Sequence, residues 1–206
     1  MTIKTIFWDI GGVLERTEDH SPRETLAAKL GCSTRGLSHL IFGHSDQYRI
    51  QLGQISWEEH YDNIANALEI PKDSVEDVLA DFFAHDRLDR ELVEYIRTLK
   101  QDHTIAVISN YTNILRGKIN ELWQIGDVFD ELIISAEVGI MKPNPGIFQI
   151  ALERTASRPE EAVFIDDFIE NVEGAQNIGM HAILFETPNQ TIHDLNTLIN
   201  TAKGND

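Results

Sequence analysis

Thr5-Ile-Phe-Trp-Asp9 is four uncharged residues that end in a carboxylate, and Ile10-Gly11-Gly12 follows at once. A continuous run of this kind suits a strand buried on both faces, as in a parallel sheet. The pattern recurs along the chain. Thr104-Ile-Ala-Val-Ile108 runs into Ser109-Asn110, Glu131-Leu-Ile-Ile134 into Ser135, Ala162-Val-Phe-Ile165 into Asp166-Asp167, and His181-Ala-Ile-Leu-Phe185 into Glu186. Helical patterns separate these runs. The spacing predicts helices over 89–99, 110–123, 145–156, 170–178 and 191–202, with Pro145 as an opener and Gly179 as a stop. Strand alternating with helix predicts an α/β fold with a doubly wound, Rossmann-like parallel sheet.

One interval breaks the alternation. Between the first strand and residue 89 no convincing strand is found, and 21–30, 34–42, 56–68 and 72–83 all have helical spacing. Ser33, Ser56 and Pro71 suit helix starts; Gly31 and Gly43 suit stops. The expected organisation is a core domain of residues 1–15 and 87–206, with residues 16–86 inserted after the first strand as a helical cap domain. In open α/β sheets ligands bind beyond the carboxyl ends of the strands, so such an insertion would lie over the site as a lid.

Composition bounds the partners. The 206 residues are 42% hydrophobic and 25% charged, which suits a globular chain with a sizeable core. Asp and Glu total 34 against 17 Lys and Arg, a formal net charge of −17. That field repels polyanions, so neither nucleic acid nor an anionic membrane is an expected partner. Cys32 is the single cysteine, and no run approaches the length of a membrane span. The expected location is the cytoplasm.

Four fragments carry candidate chemistry, each at a predicted strand end. Asp9 needs a cation or several donors if it is desolvated there, and Gly11-Gly12 lets the backbone turn and approach a ligand; a simple strand-end turn explains the same residues. Ser109-Asn110 suits either an anion site or a helix cap. Lys142, between Met141 and Pro143, is either a solvated charge or a pre-positioned cation. Asp166-Asp167 repel each other and point to a hard divalent ion, with Mg²⁺ the default. A carboxylate nucleophile, a hydroxyl anchor, a lysine and a metal-binding carboxylate pair are together the set for phosphoryl transfer through an aspartyl-phosphate.

Phe7-Trp-Asp-Ile-Gly-Gly-Val-Leu14, Val107-Ile-Ser-Asn110, Val138-Gly-Ile-Met-Lys-Pro-Asn-Pro145 and Phe164-Ile-Asp-Asp167, with Asn171 and Gly174-Ala175, resemble the haloacid dehalogenase superfamily over nearly the whole chain. The helical insertion resembles that superfamily's small helical cap of the first class. The resemblance implies an Mg²⁺-dependent phosphatase of a small phosphorylated metabolite. In that frame Asp9 is the nucleophile and a metal ligand. Ser109, Asn110 and Gly12 contact the substrate, and Lys142 holds phosphate and nucleophile. The Gly11 carbonyl and Asp166 ligate metal directly, Asp167 acts through water, and Asn171 supports the loop.

Gly11 is a departure, because family phosphatases usually carry a second Asp there as the general acid and base. A similar Asp-x-Gly start occurs in a branch resembling sugar-phosphate phosphatases. Without that acid, which typically contributes about 10² to 10⁴-fold, good leaving groups such as anomeric sugar, acyl and aryl phosphates should be favoured. Glu15, His20, His44 and Asp46 are candidate substitutes, whereas Trp57, Tyr48, Tyr61, Phe42, Phe82 and Phe83 suit cap core. The alternatives are a 2-haloacid dehalogenase, against which Asp166-Asp167 argues, and a catalytically impaired binding protein of the same fold.

Overall fold

The computed structural model describes residues 2–203. A five-stranded, wholly parallel sheet is built from β1 (Thr5–Trp8), β4 (Thr104–Ser109), β5 (Glu131–Ile134), β6 (Ala162–Asp166) and β7 (His181–Leu184), in the order β5-β4-β1-β6-β7. β1 is central, pairing Trp8 with Val107 of β4 on one side and with Ile165 of β6 on the other. The chain therefore winds outward in one direction through β4 and β5, then in the other through β6 and β7. The reversal opens a crevice at the carboxyl end of β1, where doubly wound sheets place their ligands. The five predicted strands are all present.

Strand alternation divides the core in two. Ile6 and Trp8, Ile105 and Val107, and Val163 and Ile165 face one layer. That layer includes Leu92, Val93 and Ile96 of α5 (Arg90–Leu99) and Leu195 and Ile199 of α10 (Pro188–Lys203). Phe7, Ala106, Ile108 and Phe164 face the other, against Ile147, Phe148 and Ala151 of α8 (Pro145–Arg154) and Ala175 of α9 (Ile169–Gln176). Both faces are covered, and that is why β1, β4 and β6 read as near-continuous apolar runs.

The insertion contains α1 (Ser21–Lys29), α2 (Thr34–Ile41), α3 (Trp57–Leu68) and α4 (Val75–Phe83). Ser33 and Ser56 cap α2 and α3 by accepting from Gly36 N and Glu59 N, as their positions predict. The four helices bury apolar clusters of their own, one around Leu26, Leu37, Ile41 and Phe82, another around Leu40, Ile64 and Val75.

Two expectations need correction. The interval before residue 89 does contain strands, straddling the two ends of the insertion: β2 (Glu15–Thr17) and β3 (Asp86–Leu88) pair antiparallel, with Thr17 opposite Asp86. Each is three residues of mixed polarity, too short to show a period. No helix begins at Asn110. Helical structure starts with α6 (Leu115–Gly117), passes into a π-helical turn at Lys118–Leu122, and is followed after β5 by the short α7 (Ser135–Val138). The backbone at 110–111 is committed elsewhere. Lys142 N donates to Asn110 Oδ1, and Tyr111 N donates to Ser135 Oγ.

Candidate active site

Asp9, Ser109 and Asp166 stand at or just past the ends of β1, β4 and β6, three neighbouring strands, so one sheet edge brings them together. Lys142 reaches them from the segment between α7 and α8, followed by the cis peptide bond to Pro143. Its ammonium is fully buried, 2.9 Å from Asp9 Oδ1 and 2.6 Å from Asp166 Oδ2, and it also donates to the Ile108 carbonyl at 2.9 Å. A solvated surface charge is thereby excluded for Lys142.

Three donors converge on one oxygen of Asp9. Ile10 N, Ser109 Oγ and Lys142 Nζ lie 2.7, 2.7 and 2.9 Å from Oδ1. None of them is on Oδ2. Ser109 thus holds the Asp9 carboxylate in this structure, where the sequence suggested an anion site or a helix cap. Asn110 is a clamp rather than a cap. Its Nδ2 donates to the Lys142 carbonyl at 3.0 Å and its Oδ1 accepts from Lys142 N at 2.7 Å. Both ends of the side-chain amide fix the lysine segment, and Asn110 still lines the cavity with one N–H of Nδ2 uncommitted.

The acidic pair divides its work. Asp166 Oδ1 accepts from Phe168 N (2.8 Å) and Asn171 Nδ2 (3.0 Å), while Oδ2 accepts from Lys142 (2.6 Å) and Asn171 Nδ2 (3.1 Å). Asn171 therefore ties the Asp166 carboxylate to α9. Asp167 Oδ1, by contrast, is buried without a hydrogen-bond partner. Gly12, at φ +82°, makes the close approach possible: a Cβ there would lie 2.1 Å from Asp167 Oδ2. No such constraint acts at Gly11, where a Cβ would meet nothing within 4 Å.

The charge balance calls for a cation. Oxygens of Asp9, Asp166 and Asp167 lie within 4.8 Å of one another, the only such trio among the described residues. Three carboxylates face one ammonium, a formal balance of −2. Burial raises Asp9 to about 7, with Asp166 adding to the rise and Lys142 opposing it. Burial and Asp166 raise Asp167 to about 6. Burial pulls the Lys142 ammonium down, but Asp9 and Asp166 outweigh it and leave it above its ordinary value. A hard divalent ion with oxygen ligands matches the missing charge, the orphaned oxygen and the donor set.

A cavity of about 570 Å³ opens from this cluster toward the helical insertion. Glu15, His20 and His44 line it; Asp46 is not among its lining residues. Glu15 is not a free acid, because its carboxylate binds Lys118 Nζ at 2.5 Å and accepts from Tyr111 Oη at 3.1 Å. Burial and Glu15 push the Tyr111 phenol well above its ordinary value. Phe82 is core as predicted, whereas Phe42, Tyr48 and Phe83 also face the cavity. Sequence reasoning missed Tyr111, Arg23, Met141 and Phe168 on its walls. For Phe168 there was a signal: an aromatic directly after Asp166-Asp167 has no core to enter at a strand end.

The haloacid dehalogenase-like hydrolase family matches residues 3–179. The chain is 32% identical over 149 residues to the glyceraldehyde 3-phosphate phosphatase of Methanothermobacter thermautotrophicus, covering 72% of this chain and 57% of the relative. It is 23% identical over 199 residues to a sesquiterpene phosphatase of Aspergillus oryzae, covering 96% and 97%. Several curated relatives are much longer, and the chain spans 7%, 22% and 36% of three of them. Among solved structures, a wild-type enzyme of Bacteroides thetaiotaomicron in complex with magnesium and inorganic phosphate superposes with a TM-score of 0.73 at 21% identity, over 89% of this chain and 94% of that one. No helix among the described residues is long and apolar enough to cross a membrane.

Proposed function

The chain belongs to the haloacid dehalogenase-like hydrolases, and within that family we propose that it is an Mg²⁺-dependent phosphatase of small phosphomonoesters, working through an aspartyl-phosphate on Asp9. One observation carries this reading: three donors occupy Asp9 Oδ1 and leave Oδ2 free beside an uncompensated pair of negative charges. The phosphatase relatives support it. Residues 16–86 act as the cap, entering and leaving through the β2–β3 ribbon.

Asp9, Asp167 and the Gly11 carbonyl would hold the ion, with Asp166 as the residue that anchors Lys142. This assigns direct ligation to Asp167 rather than Asp166, because the Asp166 oxygens are already shared among Lys142, Asn171 and Phe168 N. When bound, Mg²⁺ supplies positive charge against the phosphate oxygens. Lys142 and Ser109 orient Asp9 so that its carboxylate attacks phosphorus as the ester oxygen departs. Water then cleaves the acyl phosphate and regenerates the carboxylate. At Gly11 no side chain protonates the departing oxygen, so esters of acidic alcohols react best.

The test is phosphate release from a panel of sugar, acyl, aryl and alkyl phosphates, with Mg²⁺ and with chelator, for wild type and Asp9→Asn. Turnover that needs the metal and vanishes in the variant is the expected result. Chloride release from a 2-haloacid without metal, and no phosphate release, would overturn it in favour of a dehalogenase.

A further inference from the structure

The walls of the cavity differ sharply from its catalytic end. Above Asp9 and Lys142, five of its lining residues are Phe42, Tyr48, Phe83, Met141 and Phe168. Phe168 is 60% exposed at the mouth, an unusual position for a Phe, and its backbone N–H is fixed on Asp166 Oδ1. Polar side chains that are not exposed on these walls are already bound within the protein, whereas His20, His44 and Glu170 on the same lining are exposed. Arg23 donates to Asp86 at 2.7 and 2.9 Å and to the Phe82 carbonyl at 3.0 Å. Thr17 donates to the same Asp86 at 2.7 Å. Glu15 is held by Lys118 and Tyr111, and Gln51 Nε2 donates to the Phe42 carbonyl at 2.8 Å.

Past the exposed rim, a sugar or polyol would bring its hydroxyls against groups whose hydrogen bonds are already made. A hydroxyl buried without a partner costs more than it returns. An apolar group loses nothing there and gains the aromatic surface.

We infer that the organic part of the substrate is apolar and ring-sized, with aryl monophosphates as the preferred chemical class. This rests on the phosphatase reading for turnover but not for binding. It also agrees with the bare Gly11, since a phenolate departs without a proton far more readily than an alkoxide. Phe168 is the specificity residue at the mouth.

The experiment uses 4-alkylphenyl phosphates from methyl to pentyl, whose leaving groups are nearly equal in acidity. Each is paired with its hydroxyl-tipped counterpart, and glucose 1-phosphate is the polar reference. The expected kcat/KM rises about fourfold for each methylene that enters the chamber. A terminal hydroxyl cancels the gain by about tenfold. Phe168→Ala flattens the rise; its exposed position lets the variant fold. A flat series, or glucose 1-phosphate ahead of the aryl esters, overturns the inference while leaving the phosphatase reading intact. Binding of the matching 4-alkylbenzylphosphonates, measured by calorimetry with Mg²⁺, separates the two claims. If no ester is turned over yet affinity climbs with chain length, the apolar chamber stands and the phosphatase reading falls. Affinity independent of length, or no binding, overturns the inference.

Discussion

Gly11→Asp puts the question of the missing acid directly. A Cβ at position 11 meets no atom within 4 Å, and the residue is not at positive φ, so the side chain enters without overpacking. It projects into the cavity that Asp9, Gly11 and Asp167 already line. General acid help is worth about 10² to 10⁴-fold for leaving groups that need a proton. The new carboxylate also joins three others that face a single ammonium, and their repulsion favours its protonated form. The gain should therefore reach at least about 10²-fold in kcat/KM for alkyl phosphates and stay within a few fold for aryl phosphates with acidic phenols. The assay is a plot of log kcat/KM against leaving-group pKa for wild type and variant, at saturating Mg²⁺. The slope should be steep in wild type and shallow in Gly11→Asp. An unchanged slope, in a variant that unfolds at the wild-type temperature and binds Mg²⁺ normally, would refute the reasoning. It would mean that another group already protonates the leaving oxygen.

Lys142→Met removes the ammonium between two buried carboxylates. Unfolding by urea in chelator should show a loss of about 3 to 5 kcal/mol, and phosphatase turnover should fall to background. Asn110→Ala deletes both bonds that clamp the Lys142 backbone. Stability should drop by about 1 to 3 kcal/mol, with a fall in kcat rather than a rise in KM. Gly12→Ala forces a methyl group into Asp167 at a backbone conformation that disfavours it; calorimetry should show Mg²⁺ affinity weakened by at least about tenfold. For pH, the folded value of Asp9 is raised from 3.8 to about 7, so the metal-free fold favours the protonated form. Its contribution is full below the unfolded value and is lost as pH rises toward about 7; melting temperature in chelator should fall across that window. Mg²⁺ needs the ionised carboxylates, so its affinity should climb through about pH 6 and 7, where Asp167 and Asp9 titrate, and then level off.

Local chemistry is what the sequence could report. A strand buried on both faces must be apolar along its length, so β1, β4 and β6 could be read from their runs alone, and the shorter runs at β5 and β7 completed the alternation with helices. A carboxylate at the end of such a strand contradicts its surroundings, and that contradiction marked Asp9 and Asp166-Asp167. The same reasoning passed over β2 and β3, because three residues of mixed polarity carry no period.

Relations between distant segments were decided only by the tertiary structure. Ser109 and Asn110 suited a helix cap in isolation. Their bonds go instead to residues 100 and 32 positions away, an advantage that no local pattern records. The division between Asp166, with both oxygens engaged, and Asp167, with one oxygen orphaned, depends on Lys142 and Asn171 reaching one carboxylate and not its neighbour. Likewise, Glu15 was a free acid on paper and is held by Lys118 and Tyr111 in space. By itself the sequence determined which residues must leave solvent and which could not do so without a partner, since that follows from each side chain's own hydration. Who the partner is depends on distances that exist only once the sheet has closed, and there the chemistry of the site was decided.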